Sequence, residues 1–396
     1  MPRRARLVDA VRRRASAEAT ALADVDAIVA FDGGADARCA VELRHGAVTV
    51  TDWAEAPTTL ISADAATLLD VVEGRTSGIE AFLDGRLRVD GDLSLSLRLD
   101  GLFGGEAADA RPVRFPRAAM VPAGRIRTFH LEAGPPDALP VVLLHGLGAT
   151  NASMLPTLWD LARDHHVLAP DLPGHGASAA PWGAYDARFF AAWLADYLDA
   201  VGVDRAVLVG NSLGGRVSLE IALLEPERVR GLVLLAPAVA FRRLRQFVPA
   251  VRLARPELAA LPLPMTRGMA RLTLRRMFSQ PSRLTSQSYD AAAGEFVRVY
   301  KRPGYRVAFF SSLRQIYLDD AFGDAGFWRR LPDLKPPALF LWGARDRLVP
   351  AGFARHVAAA VPDATSIVLD DCGHVPQFEL PDRTHEEVRR FLATLT

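Results

Sequence analysis

Three side chains that together can run acyl transfer, Ser212, Asp346 and His374, lie in the second half of this 396-residue chain. Ser212 sits in Gly210-Asn211-Ser212-Leu213-Gly214, where an apolar run, Ala206 to Val209, meets a helix-like run, Leu213 to Leu224. G-x-S-x-G alone occurs by chance in many chains. A strand before it and a helix after it make the sharp turn that lifts a serine hydroxyl above a sheet edge. The glycines permit that turn and close helix packing, and the helix start adds partial positive charge and free N–H groups. The plainer alternative is a glycine-rich turn with Ser212 as a helix cap. Asp346 follows the apolar run Ala338 to Trp342. An acid there lies at the rim where open α/β sheets place ligands, or it is a loop aspartate capping the next helix. His374 follows a last short run, Ser366 to Leu369. A histidine past the final strand can reach back to a serine, although a lone histidine is more often structural.

Acyl transfer also needs two N–H donors aimed at the developing oxyanion. The backbone N–H of Leu213, directly after the serine, is one candidate. The other is the N–H of Leu147, in the glycine loop His145-Gly146-Leu147-Gly148 that follows the β-prone run Val141 to Leu144. His145 reads as a residue that shapes this loop rather than as a base. Cys372, two residues before His374, reads as a packing residue.

The order Ser…Asp…His is that of the α/β-hydrolase triad, and from roughly Pro112 onward the chain resembles that family. Asp171-Leu-Pro-Gly-His-Gly-Ala-Ser178 is similar to the family's D-x-P-G-x-G-x-S loop, and Gly373-His374 with Glu379-x-Pro381 is similar to the segment around its histidine. The resemblance implies Ser212 as nucleophile, Asp346 as orienting acid and His374 as general base. It implies a structural role for Asp171, His175 and Ser178. The fold expected over 117–396 is a mostly parallel sheet flanked by helices, with a helical cap insert at 238–330.

The first hundred residues carry strand-like runs, Ala27 to Phe31, Cys39 to Leu43, Ala47 to Thr51 and Thr59 to Ser62, then a helical run, Ala63 to Val72. They read as a small α+β unit. With Thr59 to Asp64, Val72-Glu-Gly-Arg75 and Ala81 to Asp92, residues 1–105 resemble the lipid-binding domain of the sterol carrier protein family, in which a sheet and helices enclose an apolar tunnel. Leu93-Ser-Leu-Ser-Leu-Arg-Leu99 alternates with period two, which argues strand, whereas the resemblance implies a helix capped by Asp92. The resemblance offers no clear closing helix after Phe103. Residues 106–116 read as a linker.

A chain with half its residues hydrophobic and a net charge of +1 can bury a large core and carries no global nucleic-acid signal. Two cysteines, Cys39 and Cys372, fit a reducing cytoplasm. The basic start, Met1-Pro-Arg-Arg-Ala-Arg, precedes no signal-peptide core. No run has metal-ligand spacing and no phosphate loop occurs, so neither metal nor cofactor is expected. The insert places ten arginines against one glutamate, Glu257, between Phe241 and Arg283. Phe241 to Val251 has a helical apolar face that Pro249 should kink or end. Basic amphipathic helices lie on anionic membranes; attraction of an anionic head group and a merely solvated face stay open.

The reading that unites these features is a serine hydrolase cleaving a carboxylic ester of a lipophilic acyl substrate. A carbon–carbon hydrolase of the meta-cleavage type shares the elbow at Gly210 to Gly215, thioester hydrolysis uses the same triad, and a non-catalytic lipid carrier is the reading from another class.

Overall fold

The computed structural model describes residues 3–17, 25–103, 116–241, 248–253, 255–261 and 264–395. These form two compact units. The first is Met1–Ala118 with Thr285–Arg298, and the second is Ala119–Leu284 with Val299–Thr396.

The first unit opens with a helix, α1 (Arg3–Ala17), that the basic composition of this stretch concealed. Its buried residues Leu7, Ala10 and Val11 recur at helical spacing, and Arg6 pairs with Glu73 at 2.7 Å. Four strands follow the expected runs closely, β1 (Ala27–Asp32), β2 (Arg38–Arg44), β3 (Ala47–Thr51) and β4 (Thr59–Ala63), and a fifth, β5 (Leu87–Gly91), lies where no strand was expected. They form one sheet in the order β3-β2-β1-β4-β5, parallel only between β1 and β4. Between β4 and β5 run α2 (Ala65–Val72) and α3 (Gly78–Leu83). Asp64 caps α2 by accepting from the N–H groups of Ala66 and Thr67, a contact worth about 1 kcal/mol.

The alternating stretch is a helix, α4 (Leu93–Phe103). Asp92 caps it, accepting from Leu95 N at 3.0 Å. Leu93, Ser94, Leu95, Ser96 and Leu97 are all buried. Five successive buried residues leave this opening part of the helix no polar face to report, and the period-two pattern carries no strand information. Part of that cover comes from far along the chain. Glu295 accepts from Leu93 N at 3.3 Å, and Arg298 bridges Glu295 at 2.7 Å and Asp92 at 3.1 Å. Burial pushes the Glu295 carboxyl up against the pull of Arg298. Thus the 285–298 stretch of the insert packs into this unit.

The second unit is built on an eight-stranded sheet. Its strands are β6 (Arg117–Ala123), β7 (Ile126–Ala133), β8 (Pro140–Leu144), β9 (His166–Pro170), β10 (Ala206–Asn211), β11 (Val229–Leu235), β12 (Ala338–Gly343) and β13 (Thr365–Leu369), in the order β13-β12-β11-β10-β8-β9-β7-β6. From β9 to β13 the neighbours are parallel. Such strands need cover on both faces, and β9, β10 and β12 are buried at every residue. The connecting helices are α5 (Leu155–Leu161), α6 (Ala187–Ala200) and α7 (Leu213–Leu224). On α7, buried Arg216 bonds Glu220 at 2.7 Å and Asp319 at 2.9 Å, tying this helix to the end of the insert.

Within the insert, α8 (Val248–Leu253) is followed by α9 (Arg267–Met277), α10 (Ser286–Tyr300), α11 (Pro303–Leu318) and α12 (Phe327–Arg330). The helix expected from Phe241 lies partly outside the described residues. Pro249 does not end α8, which runs on to Leu253. Helices α13 (Phe353–Ala360), α14 (Pro376–Glu379) and α15 (Pro381–Leu392) complete the unit.

Candidate active site

Strand β10 ends at Asn211 and α7 begins at Leu213, so Ser212 is the whole turn. Its backbone has φ 53° and ψ −111°, a conformation that costs a non-glycine residue about 1–3 kcal/mol. Three backbone bonds hold it there: Ser212 N donates to Leu235 O at 3.0 Å, and Ala238 N and Arg216 N donate to Ser212 O at 2.9 and 3.1 Å. The Ser212 side chain makes no capping bond to α7, so the turn does not use its hydroxyl. Gly214 lets α7 start against β8: a Cβ there would lie 2.1 Å from the Leu144 carbonyl oxygen.

His374 and Asp346 are brought together by the C-terminal ends of β12 and β13. His374 Nδ1 and Asp346 Oδ2 are 2.7 Å apart, and both side chains are buried. The other carboxylate oxygen accepts from Leu348 N at 2.7 Å and Val349 N at 3.0 Å. Those bonds shape the loop rather than cap α13. A carboxylate so held fixes the histidine with Nδ1 protonated and Nε2 free to take a proton. The neighbour of the serine completes the link: Asn211 Nδ2 donates to Leu235 O at 2.9 Å and to His374 O at 3.2 Å. Sequence reasoning missed Asn211. The available signal was a polar residue closing an otherwise apolar buried run.

The glycine loop after β8 also reaches the serine. A Cβ on Gly146 would stand 3.4 Å from Ser212 Cβ, which puts the backbone just before Leu147 beside the turn. Leu213 is the first residue of α7, whose opening N–H groups have no partner within the helix.

His145 shapes that loop. Leu172 N donates to its Nε2 at 3.0 Å, so Nδ1 carries the proton and donates to Gly146 O at 2.8 Å. Asp171 braces the same region, accepting from Asn151 N and Ala177 N, while Ser178 Oγ donates to Asp171 O and accepts from Phe129 N. The rings of His145 and His175 meet edge to face at 5.3 Å. Burial, with each other's proximity second for His145, lowers these pKa values to about 3 and about 4. Unfolded, both would titrate near pH ~6.5. Below that pH the unfolded chain binds protons that the fold refuses. Stability is therefore whole above about pH 6.5 and falls as pH drops toward about 4, by about 1.4 kcal/mol per pH unit for each histidine. Urea midpoints measured between about pH 7 and 5 should show this slope, and His145→Gln should remove the His145 share of it, leaving that of His175. An unchanged slope in that variant would remove His145 as a source.

Glu379 is the second residue whose role sequence reasoning left blank. Its buried carboxylate accepts from Ser279 N at 2.7 Å, Gln280 N at 2.9 Å and Gly373 N at 2.8 Å. His374 N donates to Met277 O at 2.8 Å alongside, and a Cβ on Gly373 would meet that oxygen at 2.3 Å. The end of α9 is thus clasped to the histidine loop. Glu379→Gln must turn an NH2 group toward at least one of these N–H donors, at a cost of about 1–3 kcal/mol. Urea unfolding should show the loss, with kcat falling more than KM changes. A variant as stable as the wild type would show that the clasp does not matter. Cys372 is buried, and desolvation pushes its thiol up to about 12, which suits packing rather than nucleophilic chemistry.

Comparison with known proteins matches residues 140–381 to the family model described as alpha/beta hydrolase fold and residues 8–104 to that of the SCP-2 sterol transfer family. The chain is 31% identical over 287 residues to the dihydrolipoyllysine-residue acetyltransferase component of an acetoin cleaving system from Pseudomonas putida, spanning 70% of this chain and 69% of that protein. It is 32% identical over 267 residues to a 2-hydroxy-6-oxo-2,4-heptadienoate hydrolase from Pseudomonas putida, spanning 66% and 90%. A solved bacterial membrane phospholipase A aligns with a TM-score of 0.58 at 27% identity, over 71% of this chain and 86% of that one.

Proposed function

The chain belongs to the α/β hydrolase family, and from that premise we propose that it cleaves a carboxylic ester of a lipophilic acyl substrate through an acyl-enzyme on Ser212. The observation that carries this reading is the Asp346–His374 pair, held at 2.7 Å and tied through Asn211 to a strained serine turn. Ser212 Oγ attacks the ester carbonyl while His374 Nε2 takes its proton. The N–H groups of Leu147 and Leu213 receive the oxyanion. The proton passes to the leaving alcohol as the ester C–O bond breaks, and water then clears the acyl group with His374 again as base.

The lipophilic substrate is supported by the match of residues 8–104 to a sterol transfer family. We read that unit as the part that holds the substrate, and the arginine-rich insert as the part that meets anionic lipid. Hydrolysis of nitrophenyl esters of graded acyl length tests the whole. Activity that rises toward medium or long chains and vanishes in Ser212→Ala is the expected result. No serine-dependent ester hydrolysis at any length would overturn it, and turnover of a vinylogous diketone instead would identify carbon–carbon hydrolysis.

A further inference from the structure

Five of the eleven large apolar side chains that stand exposed among the described residues fall in one short stretch of the second unit. They are Leu253 (82% exposed), Leu258, Leu261, Met269 and Leu272. Scattered exposed leucines are ordinary, but a cluster marks an interaction surface. The cluster is also strongly cationic: Arg252, Arg255 and Arg276 are exposed within it, and Glu257 is the single acid from Val248 to Met277.

Helix α9 shows how the two chemistries combine. Ala270 is buried, with Leu274 and Met277 half-buried, so these lie on the packed side. At 100° per residue Leu272 falls near the middle of the opposite side, flanked by Met269, Arg275 and Arg276. Apolar groups at the crest with arginines around them suit a lipid surface. The apolar groups enter the acyl boundary while the guanidinium groups stay among anionic head groups.

The part of the stretch at 251–260 is firmly supported. Buried Arg306 on α11 donates to Ala259 O at 2.7 Å and Ala260 O at 2.6 Å, and Arg314 donates to Val251 O at 3.1 Å and Arg252 O at 2.9 Å. Exposed leucines on a pinned backbone lose little entropy when they bind. No helix among the described residues is long and apolar enough to cross a membrane, so contact through this face would be peripheral.

We propose that the exposed apolar and arginine side chains of α8, residues 255–261 and α9 dock the protein on an anionic lipid surface. This deepens the reading of the substrate as lipophilic but does not depend on Ser212. Because the Glu379 clasp joins the end of α9 to the histidine loop, docking would place the surface close along the chain to the reacting groups.

The test is partition of the full chain onto vesicles of phosphatidylcholine alone or mixed with phosphatidylglycerol, with nitrophenyl acetate hydrolysis in solution measured in parallel. Binding should be at least about tenfold tighter on the anionic vesicles and weaken steeply as salt rises from about 0.1 to about 0.5 M. Arg255→Gln and Arg276→Gln should each weaken it roughly fivefold. Leu253→Ser with Leu272→Ser should weaken it about tenfold or more at either salt, and acetate hydrolysis should stay unchanged in all four substitutions. Equal binding to both vesicles, or indifference to the leucine changes, overturns the proposal. So does leucine-dependent self-association on gel filtration without vesicle binding, which would make the face a contact between copies. Absence of Ser212-dependent ester hydrolysis at every acyl length would defeat the ester reading while leaving the docking result standing.

Discussion

Replacing Ser212 by alanine is expected to lower kcat on nitrophenyl esters by about a millionfold, to the level set by binding and the oxyanion donors alone. On the proposed mechanism the effect is large because Ser212, His374 and Asp346 act as a unit. Cys372, the nearby thiol, is held protonated by burial. Asp346→Asn should cost about ten-thousandfold in kcat. The amide leaves the loop bonds to Leu348 and Val349 available but can no longer enforce the histidine tautomer that His374 needs. The two variants should keep the wild-type urea midpoint to within about 1 kcal/mol, since neither opens a cavity. Labelling by an active-site-directed phosphonate gives a second readout, expected in the wild type and absent in Ser212→Ala. Residual activity within about a hundredfold of wild type in Ser212→Ala would mean that the chemistry lies elsewhere.

Gly214→Ala is expected to damage both stability and rate, against the ordinary preference of helices. In an open helix, alanine is worth up to about 1 kcal/mol over glycine. Here its Cβ would stand 2.1 Å from Leu144 O and 2.8 Å from His145 O. These are backbone atoms at the end of a buried strand, not the yielding tips of side chains. Overpacking of this kind costs about 1–3 kcal/mol, so the steric term wins and the net loss should be about 2 kcal/mol, or roughly 4–8 °C in Tm. Relief requires the start of α7 to move off the 144–147 loop. That movement separates the N–H groups of Leu213 and Leu147, and losing one oxyanion donor costs about a hundredfold or more in kcat. A variant with wild-type Tm and kcat would show that the close approach is not what the site depends on.

Much of the second unit was legible because its strands are buried on both faces and its turns carry chemistry. The runs at 141–144, 206–209 and 338–342 read as strands since nothing polar interrupts them; the serine follows the second and the aspartate the third, while the histidine follows the last short run at 366–369. The contributions of Asn211 and Glu379 were not legible. Both act through backbone partners, and a backbone partner leaves no trace in residue type. In the first unit four of the five strands were readable from their β-prone runs; β5 was not. α1 was hidden by arginines that outnumber its three core residues. The ambiguity at 93–99 had a physical cause: a helix buried at five successive residues shows no amphipathic period there, and only the cap at Asp92 distinguishes it.

One consequence concerns how this protein can be divided. The first unit is not a continuous stretch of polypeptide, because Thr285–Arg298 belongs to it and supplies the carboxylate that accepts from the opening N–H of α4. No single restriction point in a gene, and no single protease nick, separates this chain into two whole parts. A fragment ending at residue 105 would lack Glu295 and Arg298 and leave α4 open to water. A fragment beginning at residue 117 would carry that segment without its host. The two parts are threaded rather than joined end to end, so an insertion or shuffled terminus would be tolerated at the edges of either part more readily than a clean exchange of one for another.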